Sequence, residues 1–241
     1  MYISLSMWFA RFALVLFIAS LTTAKEKINL QWAICDESPQ MVLQKLAEEI
    51  MPPYRENPIT YYDERPPKYL LHGLMFRTKT SHGQALSTVK VRFANETSDV
   101  PADVTCVWDR YGDEPTYTCE KRCPMNSVAP SVWCDEQIHF AERYDAVEWD
   151  GLTPFGPYPN AKWKMRIQGH KVKFDDVAAG SLHLMEIEAK VPRSKGEKAY
   201  REITQELKHR GIVLCDPQEG KTRRLFRAMG YLDDEERAHE L

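Results

Sequence analysis

Charged side chains recur at every second position in five segments of this sequence. Arg77 and Lys79 alternate with Phe76 and Thr78, and Thr88, Lys90 and Arg92 with Val89, Val91 and Phe93. Lys162, Lys164 and Arg166 alternate with Trp163, Met165 and Ile167, and Lys171, Lys173 and Asp175 with Val172 and Phe174. Glu186, Glu188 and Lys190 alternate with Met185, Ile187, Ala189 and Val191. Successive side chains of a strand point to opposite faces, so each segment read as a strand has one apolar and one ionic face. The ionic faces suit phosphate chemistry. Guanidinium forks grip phosphate oxygens two at a time, and lysines add point charge. Asp175, Glu186 and Glu188 would suit a hard cation, Mg²⁺ or Mn²⁺, bridging phosphate oxygens. The same carboxylates also serve as charge balance for the neighbouring lysines and arginines.

Two arrangements of strands accommodate this alternation. One is an antiparallel sheet with a solvated face. The other is a sheet closed around a charged interior, its apolar face outside and covered by helices. Basic residues on four strands facing carboxylates on the fifth, with few Ser, Gln or Asn between them, favour the closed form. Further strands are predicted at Lys27–Ile34 and in a hairpin of Asp103–Asp109 with Tyr117–Lys121. The stretch 150–160 is rich in proline and glycine and reads as a loop. A helix after Ser38, capped by that serine with Pro39 at its first position, carries Val42, Leu46 and Ile50 on one face and ends at Met51-Pro-Pro53. Residues 127–144 are ambiguous, with helix an option for their end, 136–144. A second helix runs from a Ser194–Glu197 capping-box pattern through Ala199, Ile203 and Leu207 to a Gly211 cap. The basic stretch Lys221–Arg227 has the ordinary form of a solvated helix face, and an acidic stretch, 233–236, follows it.

The chain has 241 residues, with 43% hydrophobic residues and 32 basic against 35 acidic ones, a net charge of −3. Its length is that of one sizeable domain, and the charge balance gives no global signal for nucleic acid or membrane binding. Residues 1–24 stand apart. Arg11 precedes an apolar run of about ten residues, too short to span a bilayer, and then Thr22-Thr23-Ala24. This is the pattern of a signal peptide cleaved after Ala24, with an uncleaved N-terminal anchor as the alternative; it predicts a secreted protein, extracellular or periplasmic, whose mature part is one domain over 25–241 with a charged tail. The last residues, 238–241, only partly match an endoplasmic-reticulum retrieval signal. All six cysteines follow the cleavage site, which favours disulfides over zinc. Six cysteines allow 15 pairings. Cys106 and Cys119 flank the turn of the predicted hairpin, which suggests a cross-hairpin bridge. Asn95-Glu96-Thr97 is an N-glycosylation sequon.

Several motifs together carry a family resemblance. Ile59-Thr-Tyr-Tyr-Asp63 is followed by Leu70–Lys79 with its Leu-Met-Phe-Arg77-Thr-Lys79 step, and then by Ser87-Thr-Val-Lys90. Later come Val172-Lys-Phe-Asp175-Asp-Val177, Gly180 and Met185-Glu-Ile-Glu188, and then the 194–210 helix. In this order, from about residue 59 to about 212, they resemble the CYTH family. The resemblance implies an α+β fold, an antiparallel closed barrel of about eight strands flanked by helices and forming a tunnel for triphosphates. Members of that family include triphosphatases and class IV adenylate cyclases that use divalent cations. Carried over by position, Arg77, Lys79, Lys90, Arg166 and Lys173 would grip phosphate, with Arg92 on the same face as Lys90. Glu186 and Glu188, with Asp175, would hold Mg²⁺ or Mn²⁺. The Glu-x-Glu-x-Lys strand for which the family is partly named reads here Asn29-Leu-Gln31-Trp-Ala33. Amides therefore stand at its two acid positions. The expected ligand is a phosphate-rich small molecule or other polyanion, with no specific nucleic acid and no membrane after signal cleavage. A metal-dependent phosphohydrolase, a binding protein that has lost the chemistry, and an interaction scaffold are the functions compatible with these residues.

Overall fold

A computed structural model describes residues 26–46, 51–125 and 131–232. The predicted signal peptide, Ile50 and the acidic C-terminal stretch lie outside the described residues. Among the described residues the chain forms one large sheet and four α-helices. The strands, in chain order, are β1 (Lys27–Ile34), β2 (Arg55–Glu56), β3 (Ile59–Asp63), β4 (Leu74–Ser81), β5 (Gln84–Phe93), β6 (Thr105–Tyr111), β7 (Glu114–Pro124), β8 (Thr153–Tyr158), β9 (Asn160–Ile167), β10 (His170–Ala179) and β11 (Leu182–Pro192). The helices are α1 (Pro39–Leu46), α2 (Asp135–Glu142), α3 (Gly196–His209) and α4 (Lys221–Ala228).

The sheet order is β2-β9-β10-β11-β1-β6-β7-β5-β4-β3-β8. This corrects the expected closed antiparallel barrel of about eight strands. There are eleven strands, the ladder is open between β2 and β8, and β1 runs parallel to β6. The end strands explain why the ladder stops. β2 has two residues, and β8 carries Pro154 and Pro157, which have no N–H to donate and belong at sheet edges. Here the proline-rich segment read as a loop is instead an edge strand. Two chain segments nevertheless serve both ends. β2 runs into β3 and β8 into β9, with Glu56 opposite Ala161, Ile59 opposite Tyr158, and Asn57 N–H donating to the Asn160 carbonyl at 3.0 Å.

The apolar faces of the strands lie outside, under the helices. Leu30, Trp32 and Ile34 of β1 and Phe174, Met185 and Ile187 of β10 and β11 pack against α1 and α3. α3 presents Ala199, Ile203 and Leu207 at helical spacing, and Trp32 stacks on Tyr200 at 5.1 Å. On the other half, Phe76, Val89, Val91 and Phe93 pack under Phe140 and Ala141 of α2. Helix starts differ in detail from the sequence pattern. Ser38 Oγ does cap α1, accepting from Met41 N–H at 3.3 Å. Ser194, by contrast, sits inside a 3₁₀ turn (Arg193–Lys195) and caps nothing, so α3 begins two residues later at Gly196. A Cβ at Gly196 would meet Ile28 Cγ2 at 3.0 Å, so glycine lets the helix approach β1 this closely. Gly211, at φ +69°, ends the helix as expected, with Ile212 N–H returning to the Leu207 carbonyl at 2.9 Å.

Three disulfides are formed: Cys35–Cys215, the predicted Cys106–Cys119, and Cys123–Cys134. They fit an oxidising compartment. Among the described residues no helix is long and apolar enough to cross a membrane.

α4 departs most from its sequence pattern. Its basic residues suggest a solvated face, yet Thr222, Leu225 and Phe226 are buried. Leu225 and Phe226 pack with Ile59, Tyr61, Met75, Val177 and Leu184, and the Phe226 ring lies 4.6 Å from Phe155. Met75 and Val177 share strand faces with Arg77 and Asp175. The helix therefore fills one end of the sheet's inner face and presents its first residue, Lys221, to the charged part.

Candidate functional site

The inner faces of the strands line a cavity of about 800 Å³. Eleven lysines and arginines border it against seven carboxylates, an excess of positive charge that the whole chain does not have. The charges are segregated within it. β4 contributes Arg77 and Lys79, β5 contributes Lys90 and Arg92, and β7 contributes Glu120 and Arg122. Across from these, β10 and β11 contribute Lys173, Asp175, Glu186, Glu188 and Lys190.

The basic wall is under-neutralised. Among the described residues Arg77, Lys79 and Arg92 form no ion pair, and the Nε atoms of Arg77 and Arg92 are buried without a hydrogen-bond partner. Arg77 is the largest cause of an unusual lysine. Its guanidinium, with burial and the charges of Arg122, Lys162 and Lys90, pushes Lys79 down to about 6. Burial and then Arg77 lower Lys90 as well, although Glu120 lies 3.5 Å away and opposes the shift. Glu120 also pairs with Arg122, and the cations around it hold its carboxyl below the ordinary value against the effect of burial. One carboxylate thus serves several cations. An anion entering this wall would supply the missing negative charge.

The acidic wall is satisfied from within. Lys221 Nζ donates to Asp175 Oδ1 at 2.6 Å and to Glu186 Oε1 at 2.7 Å. Lys162 donates to the other Asp175 oxygen, and the Tyr111 hydroxyl donates to Glu186 Oε2. Burial by itself would raise Asp175, but Lys221 and Lys162 hold it well below the usual carboxylate range. Burial would lower Lys221, and the two carboxylates reverse this and raise it. Burial and Glu186 raise Tyr111 far above its ordinary value, and burial pushes Tyr61, also on the lining, up to about 12. At the amide positions of β1, Asn29 donates to Asp109 at 2.8 Å and Gln31 donates to the same oxygen at 3.4 Å. The parallel neighbour β6 thus brings a carboxylate alongside the two amides.

Arg77, Lys79, Lys90, Arg92, Lys173, Asp175, Glu186 and Glu188 all line this one cavity. Arg166 does not. It is exposed and donates to the Gly169 carbonyl at 2.9 Å, because β9 runs on past the two residues that β2 covers. Lys162, on the same strand face, is the β9 cation inside. Sequence reasoning missed Asp109, Tyr111, Glu120, Arg122 and Lys221. For Glu120 and Arg122 there was a signal, since they alternate with Cys119 and Cys123, which belong outside. Lys221 had none, because it reaches the cavity only through the placement of α4.

No family model matches the sequence, and no curated protein matches it. Solved structures do match. A putative adenylyl cyclase from Hippeastrum, described as having a dominant triphosphatase activity, superposes with a TM-score of 0.52 at 13% identity, over 88% of this chain and 100% of that one. A putative adenylate cyclase from Bacillus halodurans gives 0.53 at 12% identity, over 84% and 98%. The chain has the CYTH triphosphate-tunnel fold. Likeness at this identity is a likeness of fold, and what a CYTH fold does here rests on its own side chains.

The divalent cation expected from the resemblance can be tested against those side chains. Asp175 and Glu186 do not offer it an open carboxylate pair, because the Lys221 ammonium already stands between them. Glu188 lies 3.6 Å from Lys173. Among the described residues the one group of three metal-ligand atoms lying within 4.8 Å of each other is Cys123, Cys134 and Glu136, whose cysteines are joined to each other. As the chain is folded, its donors do not fit a divalent cation at the acidic wall.

Proposed function

We propose that this is a secreted binding protein, cleaved after residue 24 and functioning as one domain from residue 25 onward. In this reading the inner face of the sheet forms a tunnel that takes a linear polyphosphate or a similar small polyanion. One observation carries the reading: among the described residues Arg77 and Arg92 form no ion pair, and Arg77 stands beside Lys79, whose pKa Arg77, burial and the other cations push down to about 6. Burying cations without partners is costly, and a fold that needed them only as scaffold would gain by losing them. A cavity of about 800 Å³ lined by strand faces suits a small anion better than a nucleic acid duplex. Calorimetry with tripolyphosphate tests the reading. Arg77→Ala and Lys90→Ala should each weaken binding by about tenfold to a hundredfold, the worth of a charge-assisted hydrogen bond. Unchanged affinity in both, with the fold intact, would dismiss the tunnel.

Hydrolysis is the second reading. It is supported by Asp175, Glu186 and Glu188 facing the basic wall across the cavity. It requires Mg²⁺ or Mn²⁺ to reach those carboxylates. Phosphate release from tripolyphosphate or ATP that needs the metal, stops with EDTA and is lost in Glu186→Gln would establish it.

A further inference from the structure

We propose that Lys221 is a built-in cation that takes the place of a divalent metal in this fold, joining the acidic wall directly to the bound anion. Its ammonium is held at one point by two carboxylates from different strands, Asp175 of β10 and Glu186 of β11, at 2.6 and 2.7 Å. Those distances lie at and just beyond the upper end of the 2.3–2.6 Å of calcium–oxygen bonds, so the nitrogen stands about where a hard cation would. The lysine is anchored there. It is the first residue of α4, whose Leu225 and Phe226 are fully buried in the end of the sheet. The Cys35–Cys215 disulfide and the Gln218 amide, which donates to the Ala33 carbonyl at 3.0 Å, tie the preceding loop to β1. An ammonium has three N–H donors. Two are used by Asp175 and Glu186, and the third has no acceptor among the described residues while the side chain borders the cavity. A phosphate oxygen reaching that N–H would be linked through nitrogen to both carboxylates, much as a metal ion would link them. The amides Asn29 and Gln31 agree with this, because a site that holds one positive charge of its own needs fewer acids than one that holds a dication.

Manganese alone, without polyphosphate, separates this proposal from the binding function. Mn²⁺ is titrated into the protein and followed by water-proton relaxation. Wild type should bind no Mn²⁺ at Asp175 and Glu186, and Lys221→Ala should gain a site that the further change Glu186→Gln removes. Mn²⁺ binding by wild type that Glu186→Gln abolishes would overturn the proposal. So would a folded Lys221→Ala protein that still takes up none, since the carboxylate pair would then be no cation site. Lys221→Met, which keeps the buried stem, replaces the alanine variant if that fails to fold. Should neither fold, wild type decides alone. Tripolyphosphate binding that persists within about twofold in EDTA supports a resident lysine, and binding that requires Mn²⁺ refutes it.

Discussion

The pH dependence of anion binding follows from Lys79. In the empty cavity this lysine titrates near 6, because Arg77 stands beside it and burial adds to the effect. At pH 8 about one molecule in a hundred carries its proton, and at pH 6 about half do. A polyphosphate against the same wall favours the charged form, so binding draws in a proton. The sign is fixed by linkage. Affinity rises about tenfold for each unit the pH falls between the bound-state pKa and 6, and levels off below 6. Where the bound-state pKa lies well above 8, the gain from pH 8 to pH 6 is about fiftyfold from this group alone. Calorimetry with tripolyphosphate in two buffers of different ionisation enthalpy measures the proton uptake directly. Lys79→Met provides the reference, since titration of the ligand is common to both proteins. Lys90, which is also lowered, leaves a residual slope in the variant. Equal slopes in wild type and Lys79→Met, or no proton uptake by wild type near pH 7.5, would refute the idea of an under-neutralised wall.

Several other outcomes are expected. Between pH 6 and 10 the unfolded chain protonates Lys79 and the empty folded protein does not, so wild-type stability falls as the pH falls; Lys79→Met should melt higher than wild type at pH 7, as followed by circular dichroism. Arg166→Ala should leave tripolyphosphate affinity unchanged, because this arginine lies outside the cavity and bonds the Gly169 carbonyl. Phe226→Ala should cost about 3–5 kcal/mol in urea unfolding, as expected for emptying a fully buried aromatic site. Replacing Cys35 and Cys215 by serine opens a covalent loop spanning 180 residues and should cost about 2–4 kcal/mol, with a weaker anion site wherever the loop before α4 loosens.

The sequence by itself determined the two faces of the strands that carry the site, although β8 read as a loop. Alternation placed Arg77, Lys79, Lys90, Arg92, Lys173, Asp175, Glu186 and Glu188 on ionic faces, and all of them meet in the cavity. Local patterns were enough because a strand's period of two is a backbone property that no tertiary contact changes. Sequence also gave the Ser38 cap, the Gly211 stop and the Cys106–Cys119 bridge, each set by residues close in the chain. It did not determine how far each strand stays inside the sheet, which is why Arg166 was expected in the cavity and lies outside it. Nor could alternation show that β1 would run parallel to β6 and bring Asp109 to Asn29 and Gln31, since that pairing joins segments about 80 residues apart. The tertiary structure alone decided the role of α4. Read locally, Lys221–Arg227 is a charged helix suited to solvent; burial of Leu225 and Phe226 in the open end of the sheet turns Lys221 inward, where two carboxylates from strands some 40 residues earlier lower the cost of burying its charge.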